Sequence, residues 1–282
     1  MIRTTNYLSA ANCIEIENGD ARVIVSTEFG PRILHYALDG GENILGWHPE
    51  AQVTTELGVW KPYGGHRLWL APENMPLSYT PDNAPVKYEI DGEFSARFIP
   101  LTEEASGIQK QFTVTLANSG TQVTVNHQIT NRGKDVVGFA LWALTILGPG
   151  GEVVVPNELH VPYGPDNLLP VRTLTQWSYT DFSDSRWSFS KDEIRLRVDE
   201  NAASPQKFGV LNKQGWAAYE CNGLRFTKRA EYIEDAVYPD MNSNFEAYTA
   251  GNFVELETLS PLNKLAPGES ASHRENWELA VM

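Results

Sequence analysis

Cysteine is almost missing from this chain of 282 residues, which contains only Cys13 and Cys221. Two cysteines so far apart exclude a disulfide-rich scaffold and provide no CxxC pair for a metal or redox site. The simplest interpretation is two buried thiols in a reducing compartment, although one bridge between them remains open.

Basic residues are also scarce. The chain has 22 lysines and arginines against 36 aspartates and glutamates, which gives a formal net charge of -14. No run rich in lysine or arginine interrupts this acidic composition. Because phosphate groups are bound by basic surfaces, we expect neither a nucleic-acid partner nor an anionic membrane partner.

Long hydrophobic runs are missing as well. The longest apolar stretch, Val136 to Leu147, is interrupted by Gly138 and is too short to span a bilayer. The first residues lack the apolar core of a signal peptide. We therefore expect a soluble cytoplasmic protein. Without repeats, low-complexity tracts or an obvious linker, residues 1–282 are expected to form one domain.

The usual cofactor and hydrolase motifs do not occur. The sequence has no GxGxxG, GxxxxGK[ST], HExxH or GxSxG pattern, so no cofactor is expected. The six histidines are scattered without metal-type spacing, so no metal site is expected from the sequence. A zinc site assembled only in three dimensions remains the alternative, because ligands converge in space.

What the chain does contain is a succession of short segments with strand character, separated by turn residues. Few segments have the helical period, so the pattern predicts an all-β sandwich with few short helices. One such helix is predicted from Pro49 to Leu57. The predicted strands include Ala21–Ser26, Ile108–Leu116, Gln122–Thr130, Val136–Leu147, Lys207–Leu211 and Phe253–Leu259.

The strand Phe253–Leu259 carries two carboxylates on one face. Val254 and Leu256 alternate with Glu255 and Glu257, so the glutamates lie about 7 Å apart on the same side. Neighbouring carboxylates repel each other. Two glutamates on one strand face are explained by solvation of that face, by a nearby cation or by a role in proton transfer.

A second segment, Lys61 to Trp69, combines a Gly-Gly turn with polar and aromatic residues. It includes Tyr63, His66, Arg67 and Trp69, and Glu73 follows soon after. Aromatic rings stack on the C–H faces of a sugar while carboxylates bind its hydroxyls, so these residues predict a carbohydrate as the small-molecule partner. The structural alternative for each tryptophan is core packing.

These segments resemble the galactose mutarotase-like (aldose 1-epimerase) superfamily. The order of pieces is similar: Gly30–Leu34, Gly64-Gly65-His66, Leu256-Glu257-Thr258, the turn Leu265–Glu269 and the strand Glu275–Leu279. Gly-Gly-His-Arg-Leu-Trp with Ala71-Pro72-Glu73 looks like a bacterial branch of that superfamily. The resemblance covers the chain from about residue 20 to its end and implies a β-supersandwich of antiparallel sheets with a sugar site on one sheet.

The resemblance also implies roles for particular residues. Glu257 matches the general base of the family and His66 matches its first histidine, so these two are the candidate catalytic residues. Such a pair would interconvert sugar anomers: the carboxylate takes the proton of the C1 hydroxyl and the imidazole protonates the ring oxygen. The candidate substrate-binding residues are Arg67, Tyr63, Trp69, Glu73, Trp142 and Glu255.

The sequence departs from the family at the second histidine. The matching stretch, Ala140 to Thr145, contains Trp142 but no histidine. His127, His160 and Tyr63 are the candidates to replace it, although the alternation of its strand favours His127 as a core residue. The candidate activity is therefore that of an isomerase of the mutarotase type. The alternatives are a carbohydrate-binding protein without turnover and a structural sandwich whose glutamates face solvent.

Overall fold

A computed structural model describes residues 1–202 and 204–282. Nearly all regular structure in these residues is β-strand. Besides the strands there are only a 3-10 turn, Leu77–Tyr79, and a four-residue helix, Pro239–Asn242, among the described residues. In chain order the strands are β1 (Ile2–Tyr7), β2 (Ala10–Glu17), β3 (Ala21–Ser26), β4 (Arg32–Leu38), β5 (Trp47–His48), β6 (Val53–Thr55), β7 (Gly58–Trp60), β8 (Tyr63–Gly64), β9 (His66–Ala71), β10 (Lys87–Gly92), β11 (Ser95–Ile99), β12 (Ile108–Leu116), β13 (Val123–Asn131), β14 (Val137–Leu147), β15 (Glu152–Pro156), β16 (Leu174–Gln176), β17 (Trp187–Phe189), β18 (Glu193–Arg197), β19 (Gln206–Val210), β20 (Trp216–Cys221), β21 (Leu224–Ala230), β22 (Phe245–Ala250), β23 (Phe253–Leu259), β24 (Asn263–Leu265) and β25 (Ser270–Val281).

Most of the strands form two large sheets, and β5 with β8 and β6 with β7 form two small ones. The first has 11 strands, in the order β1-β2-β3-β4-β9-β14-β23-β22-β19-β16 with β24 added to β14, and the second has 10 strands, in the order β10-β11-β12-β13-β25-β21-β20-β15-β18-β17. Neighbouring strands pair antiparallel, as in β9 with β14 and β14 with β23. The predicted all-β sandwich of antiparallel sheets is confirmed.

The main core lies between the two sheets. Alternate residues of each strand point into it, such as Val254 and Leu256 of β23 and Phe112 and Val114 of β12, all of them buried. The same alternation sends Glu255 and Glu257 to the outer face of the first sheet, as the sequence predicts. That outer face carries its own smaller hydrophobic cluster, built around Trp60, Trp69 and Trp142.

The helix predicted from Pro49 to Leu57 is wrong. These residues form a turn and then β6, which pairs with β7 in a small hairpin. The β-branched run Val53-Thr54-Thr55 and the turn before Gly58 favour a hairpin, and the hairpin places Trp60 against Trp69 with ring centroids 5.0 Å apart.

The two cysteines are free and buried, as the sequence predicts. Burial raises the pKa of the Cys13 thiol to about 11, so this sulfur is held as an unreactive thiol. No helix in the described part of the chain has the length and apolar character needed to cross a membrane.

Candidate functional site

A cleft of about 520 Å³ opens on the outer face of the first sheet. Its walls combine charged side chains with an unusual number of aromatic rings. The aromatic residues that line it include Trp60, Trp69, Tyr79, Trp142, Tyr248 and Phe253. The cleft therefore provides flat apolar faces beside polar groups, which is the character of a small-molecule site.

Strand register aligns the polar residues of this cleft. Glu255 on β23 lies opposite Tyr248 on β22, which in turn lies opposite Lys207 on β19. One row further along, Glu257 pairs with Glu246 across the same two strands. Directly opposite residues of antiparallel strands share a face, so five polar side chains from three strands come together.

Glu257 lies at the closed end of this group with 0% exposure. Its Oε2 accepts hydrogen bonds from Trp142 Nε1 at 2.8 Å and from Lys207 Nζ at 3.2 Å. Its Oε1 is buried and has no hydrogen-bond partner among the described residues. Trp142 is therefore a buried strand tryptophan whose N–H holds the candidate base.

Lys207 is the cation that stabilises the two inner carboxylates. Its Nζ lies 2.8 Å from Glu246 Oε2 and 3.2 Å from Glu257 Oε2, and its ammonium group faces the ring of Trp142 at 4.6 Å. Burial disfavours the charged amine, but the carboxylates of Glu246 and Glu257 outweigh it and hold the pKa of Lys207 well above its usual value. Burial raises the pKa of Glu246, although the ammonium group of Lys207 opposes that shift.

Arg67 and Glu255 form a second ion pair in the cleft. Arg67 Nη2 donates to Glu255 Oε1 at 3.0 Å, and the guanidinium lies over the rings of Trp60 and Trp69 at 5.2 and 4.6 Å. Burial raises the pKa of Glu255, although Arg67 opposes that shift. Glu255 and Trp69 thus line the cleft, with Arg67 held between a carboxylate and two rings.

The cleft rim adds a carboxylate and a histidine. Glu73 lies on the loop after β9 and accepts a hydrogen bond from the Tyr79 hydroxyl. His48, on β5, faces the ring of Phe253 at a centroid distance of 5.0 Å. Burial lowers the pKa of His48, with Glu255 opposing, so its imidazole is neutral at pH 7.

His66 does not lie in the cleft, so its predicted partnership with Glu257 is wrong. Successive residues of β9 point to opposite faces, and Arg67 and Trp69 occupy the cleft face. His66 therefore points between the sheets, where it has 0% exposure and contacts the ring of Trp277 at 4.8 Å.

His66 instead belongs to a buried chain of hydrogen bonds with His127. The Nε2 atoms of the two rings lie 2.7 Å apart. His127 Nδ1 contacts the backbone oxygen of His273, which can only accept, so this nitrogen carries the proton. His127 Nε2 is then an acceptor, His66 Nε2 donates to it, and His66 Nδ1 accepts from the hydroxyl of Thr145 at 2.9 Å. Both imidazoles are thereby fixed as neutral tautomers.

Among the described residues, only His66, His127 and Glu275 bring three metal-ligating atoms within 4.8 Å of one another. Their lone pairs and protons already have partners. The two histidines bond to each other, and Glu275 accepts from Trp277 Nε1 at 2.9 Å and pairs with Lys228 Nζ at 2.8 Å. The chemistry of this cluster is that of a satisfied polar core.

Three further candidates, Tyr63, His127 and His160, also lie outside the cleft. The ring of Tyr63 stacks on Phe29 at a centroid distance of 4.0 Å. The prediction of Tyr63 as a substrate-binding residue therefore places it wrongly. His127 is a core histidine, as its strand parity indicates, and His160 is an exposed loop residue.

Sequence reasoning missed several residues of the cleft. Lys207 was visible as a lysine inside the otherwise apolar strand Lys207–Leu211, and a lone cation in such a strand is a signal of buried carboxylate partners. Tyr248 lies on β22, a strand that was not predicted. His48 gave no sequence signal, because only the folding of β5 against β8 brings it to the rim.

Solved structures similar to this chain share its fold over almost its full length. A galactose mutarotase-like protein from Lactobacillus casei has a TM-score of 0.57 and 12% identity, covering 95% of this chain and 100% of that one. A galactose mutarotase related enzyme from Lactobacillus acidophilus has a TM-score of 0.56 and 10% identity, covering 95% and 97%. A TPR-domain containing protein from Parabacteroides distasonis has a TM-score of 0.64 and 16% identity. The alignment covers 95% of this chain and 47% of that one, so this chain spans about half its length.

No protein-family model matches the chain, and no curated protein matches it. At identities of 10 to 16%, the structural likeness shows the fold alone.

Proposed function

We propose, for a chain that has the galactose mutarotase-like fold, that the cleft of the first sheet binds a monosaccharide. The observation that carries this proposal is the meeting of aromatic faces with carboxylates in one cleft of about 520 Å³. Tyr248 and Phe253, which are only partly buried, offer surfaces for the C–H face of a pyranose, and Glu73 and Glu255 offer acceptors for its hydroxyls.

Binding is tested by ligand-observed NMR with a panel of aldoses, including a saturation-transfer measurement between the α- and β-anomer signals. Tyr248→Ala should weaken sugar binding on the order of tenfold or more, because it removes one aromatic wall. The matched control is Tyr88→Ala, which removes an exposed tyrosine of the second sheet. Equal affinities of wild type and Tyr248→Ala would contradict the placement of the sugar.

Interconversion of anomers in the same cleft is the second candidate function. It is favoured by the presence of a neutral imidazole, His48, beside ionisable carboxylates. A carboxylate takes the proton of the C1 hydroxyl, and the minor fraction of His48 that has taken up a proton from solvent, which Glu255 favours, gives one to the ring oxygen. The ring opens, the aldehyde rotates, and the reverse transfers close it, so no other reactant is consumed.

The base of this reaction is Glu257 or Glu255. Glu257 has an oxygen without a partner among the described residues, but Trp142 and Lys207 enclose it, whereas Glu255 reaches the cleft directly. Glu257→Gln and Glu255→Gln distinguish the two, since loss of the base should slow anomer exchange about 10²–10⁴-fold. His48→Gln should slow it similarly, with the exposed His160→Gln as control. Sugar binding without exchange in the wild-type protein would reject this second function and keep the first.

A further inference from the structure

The cations of the cleft present no donor that an anionic ligand can reach. Lys207 is shared between Glu246 and Glu257, and the rings of Trp142 and Trp177 lie 4.6 and 4.7 Å from its ammonium group. With 5% exposure, this side chain is committed to the protein itself. A phosphate or carboxylate on a sugar would find no open ammonium group here.

Arg67 is committed in the same way. Its Nη2 is bonded to Glu255, while its Nε and Nη1 have no hydrogen-bond partner among the described residues and are buried away from solvent. The faces of Trp60 and Trp69 cover the guanidinium. A ligand cannot reach these nitrogens unless a ring moves, so Arg67 acts to hold Glu255 and the two tryptophans in place.

The carboxylates at the open part of the cleft, by contrast, keep free acceptors. Glu255 uses Oε1 for Arg67, and no hydrogen bond from the described residues reaches its Oε2. Glu73 uses Oε1 for the Tyr79 hydroxyl, and within the described chain its Oε2 likewise receives no hydrogen bond. Burial, together with the negative charges of Glu73 and Glu255, raises the pKa of the Tyr79 hydroxyl. Both carboxylates therefore act on the same corner of the cleft.

The groups around this corner favour positive charge. Aromatic faces attract cations, and Tyr79, Tyr248 and Phe253 all line the cleft. An ammonium group supplies three hydrogen-bond donors, and the free carboxylate oxygens of Glu255 and Glu73 need donors. At longer range, the formal net charge of -14 draws cationic ligands toward the protein.

We propose that the ligand of the cleft is an amino sugar whose ammonium group contacts Glu255 and Glu73; this assignment rests on the proposed carbohydrate-binding function. The ion pairs of Lys207 and Arg67 leave the cleft with unpaired carboxylate acceptors and no cationic donor that a ligand can reach, and an aminohexose complements that arrangement. Sugar phosphates and uronic acids are excluded for the same reason.

Isothermal titration at low ionic strength tests this with glucosamine, galactosamine, N-acetylglucosamine, glucose and glucose 6-phosphate. One of the two amino sugars should bind about tenfold or more tightly than glucose and N-acetylglucosamine, because a hydrogen bond to a charged group is lost without the ammonium. Added salt should weaken this binding. Glu255→Gln should remove the preference, and Glu89→Gln, an exposed glutamate on β10, should keep it.

The outcomes separate this assignment from the proposed function. Equal binding of glucose and both amino sugars, or tighter binding of glucose 6-phosphate, overturns the amino-sugar assignment and leaves carbohydrate binding intact. Binding of choline, a cation without a sugar ring, together with no binding of any sugar overturns both. A preference for glucosamine that persists in Glu255→Gln and in Glu73→Gln also overturns the assignment.

Discussion

At the scale of single residues, the cleft depends on one buried cation. Lys207 lies within 3.2 Å of two carboxylates from different strands, and each of these has 1% exposure or less. Removing one partner of a buried ion pair leaves an uncompensated charge, which is far more costly than the net contribution of the pair. Lys207 therefore determines whether Glu246 and Glu257 can be close together at all.

We expect Lys207→Met to lower the free energy of unfolding by about 3–5 kcal/mol. Chemical denaturation at pH 7 measures this, with Lys87→Met as a control because Lys87 is exposed at the start of β10. The double variant Lys207→Met/Glu257→Gln should recover part of the loss, since it also removes the charge left alone. Equal denaturation midpoints for wild type and Lys207→Met would show that the carboxylates are not ionised in the folded protein.

At the scale of elements, β9 contributes side chains to both faces of the first sheet. It sends Arg67 and Trp69 into the cleft and His66 and Leu68 into the core. The turn that starts this strand fixes which residue faces which side. Gly65 has φ +66°, donates to Gly46 O at 2.9 Å and accepts from Ile146 N at 2.8 Å, so it is clamped between two neighbouring segments.

Gly65→Ala should destabilise the protein beyond the effect of its φ alone. A Cβ at this position would lie 2.1 Å from the backbone oxygen of Ile33, which cannot move aside as a side chain can. Gly40 is the matched control, because it has the same φ of +66° and an added Cβ would meet nothing within 4 Å. Gly40→Ala should cost about 1–2 kcal/mol, and Gly65→Ala about 1–3 kcal/mol more through overpacking. Similar losses in the two variants would disprove the close approach of Gly65 to β4.

The same strand shows what the sequence can and cannot predict. Alternation correctly placed Glu255 and Glu257 on one face, and the all-β class followed from short strands and turns. The parity of β9 was not predictable in the same way, because His66, Arg67, Leu68 and Trp69 are all buried and give no alternating pattern. Parity then depends on which sheet packs on which side, and this is decided by residues distant in the sequence.

The hydrogen-bond partners of Glu257 could not be predicted from the sequence for a related reason. Lys207 and Trp142 lie 50 and 115 positions away along the chain, and only the pairing order β14-β23-β22-β19 brings them to this glutamate. Local patterns predict the strands themselves. The order of strands in an antiparallel sheet follows from long-range packing, which a single sequence does not encode locally.

At the scale of the whole molecule, three histidines of the core are buried in neutral form between the sheets. Burial lowers the pKa of His127 and that of His273 to about 3, and it lowers the pKa of His66 well below its usual value. The cation of Lys228 lies in the same layer and adds to each of these shifts, while Glu275 opposes the shift at His273. A protonated histidine here would be buried away from water and close to the positive charge of Lys228. The folded core therefore keeps these three histidines neutral.

The sign of the resulting pH dependence follows from proton uptake. An unfolded histidine takes up a proton near pH 6.5, but the folded one does so only near its lowered pKa, so acid favours the unfolded state between these values. Stability is fully present above about pH 6.5 and falls by about 1.4 kcal/mol per pH unit for each such histidine as the pH drops toward 3. Buried carboxyls such as Glu246, whose pKa burial raises, act in the opposite direction over part of this range.

Comparison of two variants isolates the histidine contribution, because the carboxyls are common to both. His127→Gln should make the decline in unfolding free energy between pH 6 and pH 4 shallower by about 1.4 kcal/mol per pH unit, which corresponds to one proton fewer. His160→Gln, a change at an exposed loop histidine, should keep the wild-type slope. Urea denaturation at half-unit pH steps measures the three slopes. Identical slopes for wild type and His127→Gln would mean that the folded core accepts a proton, and the neutral tautomers assigned to His66 and His127 would then be incorrect.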